Sequence, residues 1–179
     1  MEYILGQVFG LIATVASIIM PLYKKKWMML VNTAAINLLM ALNFVLIGEI
    51  GSAAALCLVA TVQCFVSLWH TVRNQSPGRA ETIIFVLLYL GFGFFGLFTS
   101  PDFVWGLNAR NLLELLPILG SLMSMTFVFI RDEQKARWFL LLTCTVWSVY
   151  TALIGATTFF AQFFSVCTTV AALIKYRRK

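Results

Sequence analysis

The sequence feature that most constrains the fold is an apolar run in the middle of the chain. Residues 82–99 are 18 consecutive positions without a charged side chain. A helix of this length rises about 27 Å, close to the roughly 30 Å hydrocarbon core of a bilayer. The run therefore predicts a membrane-spanning helix.

Comparable apolar segments lie on both sides of this helix. Three precede it, at about 4–22, 28–47 and 50–69, and three follow it, at about 112–130, 138–154 and 156–174. Only 11% of the residues are charged, whereas soluble domains carry about 25%, so a water-soluble chain is excluded. The sequence predicts a single polytopic, all-helical membrane domain over 1–179.

Each trio crosses the membrane three times, and the central helix crosses it once more between them. The second trio therefore starts on the same side of the membrane as the first, so the two trios run in the same direction. We therefore predict two parallel three-helix bundles, 3–73 and 110–179, joined by a connector helix at 81–99. A shift of 107 residues aligns the trios without a gap and places Lys24 on Arg131 and Gly48 on Gly155. Repeats of this kind are common in transporters, which bind their solute between the repeats near the bilayer midplane.

The loop charges predict the orientation. With seven alternating spans, 12 of the 13 Lys and Arg residues lie on one side, and only Arg110 lies on the other. Cytoplasmic loops carry an excess of these residues, so we expect the N-terminus outside and the C-terminus inside. The same distribution accounts for the net charge of +6 without nucleic acid as a partner.

Polar side chains inside the apolar segments are the best indication of a site, because lipid offers them no hydrogen-bond partner. Each can bind another helix or face a central cavity, and both alternatives are open. On the second helix, Asn32 and Asn43 share a face, while Asn37 lies on another. We hypothesise that an aromatic side chain stacks on a solute and the amides hydrogen-bond it. The candidate binding residues are Asn37, Asn43, Gln63, Trp147, Tyr150 and Gln162.

Other residues are predicted to shape the backbone or to couple transport to protons. The structural candidates are Pro21, Pro117, Gly48 and Gly155. Glu114 lies near the outer end of the fifth segment, and a carboxylate at mid-depth costs about 2.5–3.5 kcal/mol. An i,i+4 pair with Arg110, or the positive start of the helix, explains it structurally. The alternative is that Glu114 titrates as a proton-coupling site.

Small residues predict close packing between helices. Gly91, Gly93 and Gly96 let the central helix approach a neighbour, and Gly6 and Gly10 form a GxxxG pair. Packing within the monomer is the simpler interpretation of both groups. A contact between copies of the chain, in a homo-oligomer, is the alternative.

No pattern in the sequence predicts catalysis, a metal or another cofactor. The four cysteines all lie inside apolar segments and lack the close spacing of a metal site. The chain also has no HExxH motif, no carboxylates paired at one depth and no nucleophile beside a base. We therefore expect a protein that is not an enzyme.

Two stretches resemble the bacterial inner-membrane proteins of the YgjV type. They are ELLPILGS at 114–121, followed by Ser124, and WSVY at 147–150, ahead of a short loop and a last helix with a basic end. The resemblance covers nearly the whole chain and implies a multi-pass protein of the bacterial inner membrane. It implies no particular activity.

A more distant similarity is to the SWEET, SemiSWEET and PQ-loop proteins, and it implies two three-helix bundles joined by one helix. Pro21 resembles the proline of the PQ motif, although the glutamine is missing. Trp147 and Tyr150 resemble the WxxY pattern of a second helix. The asparagine of the sugar pocket would fall at Phe163, with Gln162 beside it. The similarity therefore implies the fold rather than a sugar substrate.

Together these features predict a transporter of a small polar solute, working by alternating access between two three-helix repeats. The alternative is a membrane receptor or scaffold on the same fold, for which the short loops leave little surface. The expected partners are the lipid bilayer and an unidentified solute.

Overall fold

The computed structural model describes residues 2–47, 52–99, 108–153 and 158–176. Within these residues all regular structure is helical, and seven helices are long and apolar enough to cross a membrane. This confirms the predicted number of spans. The helices are α1 (Glu2–Ile19, continued by a 3-10 turn at Met20–Leu22), α2 (Lys26–Leu46), α3 (Ser52–Val72), α4 (Arg79–Thr99), α5 (Ala109–Phe129), α6 (Glu133–Leu153) and α7 (Thr158–Tyr176).

Local capping interactions mark several helix ends. The side chain of Asn108 accepts a 2.7 Å hydrogen bond from the Asn111 amide at the start of α5. Asp132 accepts one of 2.7 Å from the Lys135 amide at the start of α6. Both side chains satisfy amides that have no partner within the helix. After α3, Asn74 adopts a φ of 53° in the left-handed region, where asparagine is among the best tolerated residues.

Six of the helices pack as a closed ring. In the order α1, α2, α3, α5, α6 and α7, each helix contacts the next, and α7 contacts α1. α4 packs outside this ring, against α3 and α5. The contacts within the first trio (α1, α2, α3) therefore recur in the same order within the second trio (α5, α6, α7). Superposition of the two trios and their orientation in the membrane stay predictions.

The α4 seam, where α4 meets α3 and α5, is tightly packed. A Cβ atom on Gly96 would overlap the backbone of Ser52, and one on Gly93 would lie 2.6 Å from the Ile118 side chain. A Cβ on Gly91 would meet no described atom within 4 Å. The predicted close approach of α4 thus uses Gly93 and Gly96, and Gly91 takes no part in it.

The GxxxG pair of α1 packs within the monomer. A Cβ on Gly6 would lie 3.0 Å from the side chain of Ile47, just after α2. A Cβ on Gly10 would lie 3.0 Å from Nδ2 of Asn43. The two glycines therefore let α1 lie close against the end of α2.

Candidate solute cavity

A cavity of about 80 Å³ lies inside the ring of six helices. A water molecule needs about 10–15 Å³ of such space, so the cavity has room for several waters or a small solute. Every helix of the ring contributes to the wall, and no described residue of α4 does. The cavity is therefore the place where the two trios face each other.

The wall combines apolar surface with uncharged polar groups. Among the described residues that line it, none carries a formal charge. A neutral solute with hydroxyl or amide groups would find donors and acceptors here, whereas an ion would find no counter-charge. The polar lining residues are Ser17, Thr33, Asn37, Ser121, Ser124, Thr143, Gln162 and Ser165, together with the thiols of Cys57 and Cys144.

Three of these polar groups are buried without a hydrogen-bond partner in the described part of the chain. They are Nδ2 of Asn37, Oγ1 of Thr143 and Oγ of Ser165, on α2, α6 and α7. Buried polar atoms in proteins are nearly always bonded to protein, water or a ligand. These three unpartnered groups belong to side chains of the cavity wall, which makes them candidates for binding a molecule inside it.

The indole of Trp147 forms part of the wall, and a glycine lets it lie against the neighbouring helix. A Cβ on Gly120 of α5 would lie 2.8 Å from Nε1 of Trp147. On the other side, the ring of Tyr150 meets the indole edge-on, with centroids 5.8 Å apart. The orientation of Trp147 is thus held by α5 and by its own helix.

Comparison with known proteins decides the family. A family model for bacterial inner-membrane proteins, Imp-YgjV, matches residues 4–179. The chain belongs to this family. Comparisons with the curated proteins and with the solved structures gave no match. Family membership and the seven apolar helices make this a multi-pass protein of the bacterial inner membrane, with its helices embedded in lipid.

Three of the predicted solute-binding residues of this YgjV-family protein line the cavity. They are Asn37 on α2, Trp147 on α6 and Gln162 on α7. The structure thus brings residues from both trios to one space. Binding of a solute by these residues stays a prediction.

The asparagines of α2 divide between two faces, as predicted. Asn32 and Asn43 donate hydrogen bonds of 2.8 and 2.7 Å to the carbonyls of Ala16 and Gly6. Both therefore point toward α1, whereas Asn37 lines the cavity. Asn43, also a predicted solute-binding residue, is not among the residues that line the cavity, and its amide joins α2 to α1.

Gln63 and Tyr150 also lie outside the lining. Nε2 of Gln63 donates to the Met125 carbonyl at 3.2 Å, and its Oε1 accepts a 2.6 Å bond from the Tyr89 hydroxyl. One amide thereby joins α3, α4 and α5. Tyr150 is buried behind Trp147 and supports it. The Gln63 side chain makes these bonds because α4 and α5 both pack directly against its own helix, α3.

The predicted structural residues have different outcomes. Pro21 lies in the 3-10 turn that ends α1. Pro117 is buried inside α5, where it lacks the N–H that would bond the carbonyl four residues earlier and so permits a bend. Gly48 and Gly155 lie outside the described residues, as does the side chain of Glu114.

Serine and threonine residues in the wall were missed because such residues in apolar helices commonly bond their own backbone. The predicted 107-residue interval relates four of the six, Ser17, Thr33, Ser124 and Thr143, to other positions in the wall, but not Ser121 or Ser165. Each lining position of α1, its 3-10 turn and α2 has a lining counterpart at that interval. The pairs are Ser17–Ser124, Met20–Phe127, Thr33–Leu140, Ile36–Thr143, Asn37–Cys144 and Met40–Trp147.

Proposed function

We propose that this protein carries a small, uncharged polar solute across the bacterial inner membrane. The observation that supports this most is the cavity between the trios, with its uncharged polar wall and three unpartnered groups. A solute with hydroxyl or amide groups would satisfy Asn37, Thr143 and Ser165, and would displace water from them.

Charge is the solute property to which this wall is most sensitive. An ion entering the cavity would lose its hydration without gaining a counter-charge, which costs far more than burying a hydroxyl or an amide. A neutral solute can place its apolar face on Trp147 and direct its polar groups toward Asn37 and Gln162. Such a division between apolar surface and a few polar groups is usual in ligand sites.

Two features support alternating access between two three-helix repeats joined by α4. Helix contacts follow the same order in both trios, and lining positions recur at the 107-residue interval. The proposal includes the charge-based orientation, with the N-terminus outside. A green fluorescent reporter fused after residue 179 would then fluoresce, and a dark fusion beside an active periplasmic reporter would contradict it.

Glu114 belongs to the proposal as the candidate residue for proton coupling. The test is the pH dependence of uptake in Glu114→Gln. If the folded variant keeps that dependence, Glu114 is a structural residue.

The solute class can be tested with purified protein and a panel of small polyols and amides, each matched in size with a carboxylate and an amine. Neutral members should raise the melting temperature, because a ligand of the native state stabilises it, and should cross into liposomes containing the protein. Flux restricted to charged members would contradict the proposed class. Stabilisation without flux would favour the receptor or scaffold.

A matched pair of variants links the effect to the cavity wall. Thr143→Val removes one unpartnered hydroxyl at nearly constant shape and should weaken solute binding by about 5- to 10-fold, the loss of one hydrogen bond. Thr145→Val is the control, since Thr145 is exposed and bonds the Leu141 carbonyl at 2.8 Å. If both substitutions weakened solute binding equally, the cavity wall would not be the binding site.

A further inference from the structure

Two buried cations lie at one end of the ring. At this end, called the basic end, α1 and α5 finish while α2 and α6 begin. Lys26, the first residue of α2, is buried and donates a 2.7 Å hydrogen bond to the carbonyl of Phe127 in α5. Its Nζ also lies 4.2 Å from the centroid of the Phe127 ring. The first trio thus binds the end of the second through a cation.

Arg137 makes the reverse contact. It is buried in α6, and its Nη2 and Nε donate to the carbonyls of Tyr23 and Pro21 at 3.0 and 3.4 Å. Its Nη1 bonds Oε1 of Gln134 at 3.2 Å, and the guanidinium lies 4.5 Å from the ring centroid of Tyr176. The second trio thus binds the end of the first.

The carbonyls that accept from the two cations lie in corresponding segments of the two trios. Phe127 corresponds to Met20 at the 107-residue interval, and Met20 directly precedes the acceptor Pro21. Both Met20 and Phe127 line the cavity. The carbonyls held by the two cations therefore belong to the segments that bound the basic end of the cavity.

Neutral hydrogen bonds flank each cation. The Ser67 hydroxyl of α3 donates to the Val128 carbonyl at 2.9 Å, beside the Lys26 contact. The Tyr176 hydroxyl of α7 donates to the Leu22 carbonyl at 3.2 Å, beside the Arg137 contact. The free carbonyls at the end of each first helix are thus held by the second and third helices of the other trio.

Lys26 and Arg137 bind backbone carbonyls, and such contacts are favourable but can be broken. Helix carbonyls at a C-terminus carry a partial negative charge and attract a cation. Among the described side chains, neither Lys26 nor Arg137 forms an ion pair with a carboxylate. Water can replace a carbonyl at either cation more readily than it can separate two opposite charges in a low-dielectric site.

We propose that Lys26 and Arg137 are gating residues that close the basic end of the cavity and release the opposite trio when that end opens. This gate rests on the proposed alternating access. In the open state the ammonium and the guanidinium are hydrated, and the ends of α1 and α5 separate from the opposite trio.

The native cavity cysteine Cys144 can report opening. In a background with Cys57, Cys64 and Cys167 changed to alanine, an anionic, membrane-impermeant methanethiosulfonate is applied to inside-out and right-side-out vesicles. Lys26→Met and Arg137→Met should each accelerate labelling at least fivefold from the side that carries the basic end. Loss of a cation alone would slow an anionic reagent, so acceleration reports access.

Lys25→Met is the matched control, because Lys25 is exposed and the charge change is the same. It should leave the labelling rate unchanged. A smaller rise in both gate variants, or an equal rise from both sides of the membrane, would overturn the proposal. Labelling requires no solute, so the gate can fail while transport stands, and transport can fail while the gate stands.

The flanking hydrogen bonds supply a second test if the cation variants do not fold. Ser67→Ala combined with Tyr176→Phe removes one neutral bond from each side of the gate and changes no charge. This double variant should accelerate labelling of Cys144 at least twofold from the basic end. An unchanged rate would overturn the proposal.

Discussion

The α4 seam and the central cavity both contain buried polar side chains between helices, but they use them differently. In the seam, Gln63 bonds Met125 and Tyr89, and two glycines let α4 pack closely against its neighbours. At the cavity, Asn37 forms part of the wall, and its buried Nδ2 has no hydrogen-bond partner in the described part of the chain. The comparison teaches that an amide of this kind joins helices where an acceptor on a neighbouring helix is within reach and stays unpartnered where none is.

The seam should be the region least tolerant of added volume. Gly96→Ala places a Cβ into the backbone of Ser52, and overpacking of this kind should lower the free energy of unfolding by about 3 kcal/mol. Gly91→Ala is the control, since it meets no described atom and favours the helix. Unfolding in mixed detergent micelles measures both. Equal losses would contradict the difference in packing.

The polar contacts of the seam should show the next largest effect. Gln63→Leu leaves the Tyr89 hydroxyl and the Met125 carbonyl without this partner and should cost about 1–2 kcal/mol of unfolding free energy. Tyr89→Phe removes only one bond and should cost less. A double-mutant cycle by the same unfolding assay isolates the pair. Zero coupling would show that the hydrogen bond contributes nothing.

The cavity should show the smallest effect on stability. Asn37→Leu removes an amide whose buried Nδ2 has no described partner, so the unfolding free energy should change by less than about 0.5 kcal/mol or rise. The melting-temperature increase caused by a neutral solute should nevertheless disappear. Asn43→Leu should do the opposite, because its amide bonds the Gly6 carbonyl. A solute response that survives Asn37→Leu would remove Asn37 from the binding site.

The number and type of the helices could be predicted from the sequence because they depend on local properties. The length of an apolar run such as 82–99 and the charges between runs act within a few residues, whatever the tertiary packing. The 107-residue interval was also visible, and it recurs in the cavity wall. The family followed from residues 114–121 and 147–150 and is shown by the match over 4–179.

The roles of the polar residues depended on packing. Asn37 and Asn43 are the same residue type on the same helix, yet one lines a cavity and the other bonds α1. Each residue turns a helix by about 100°, so a side chain's partner depends on helix rotation and on the neighbour it meets.

The sequence by itself determined an all-helical, seven-span chain of the bacterial inner membrane with an internal repeat interval. Only the tertiary structure decided that Asn43 and Gln63 join helices and that Lys26 and Arg137 bind carbonyls of the opposite trio. Membrane insertion depends on hydropathy summed along a segment, whereas each of these contacts depends on residues that are distant in the chain and adjacent only after folding.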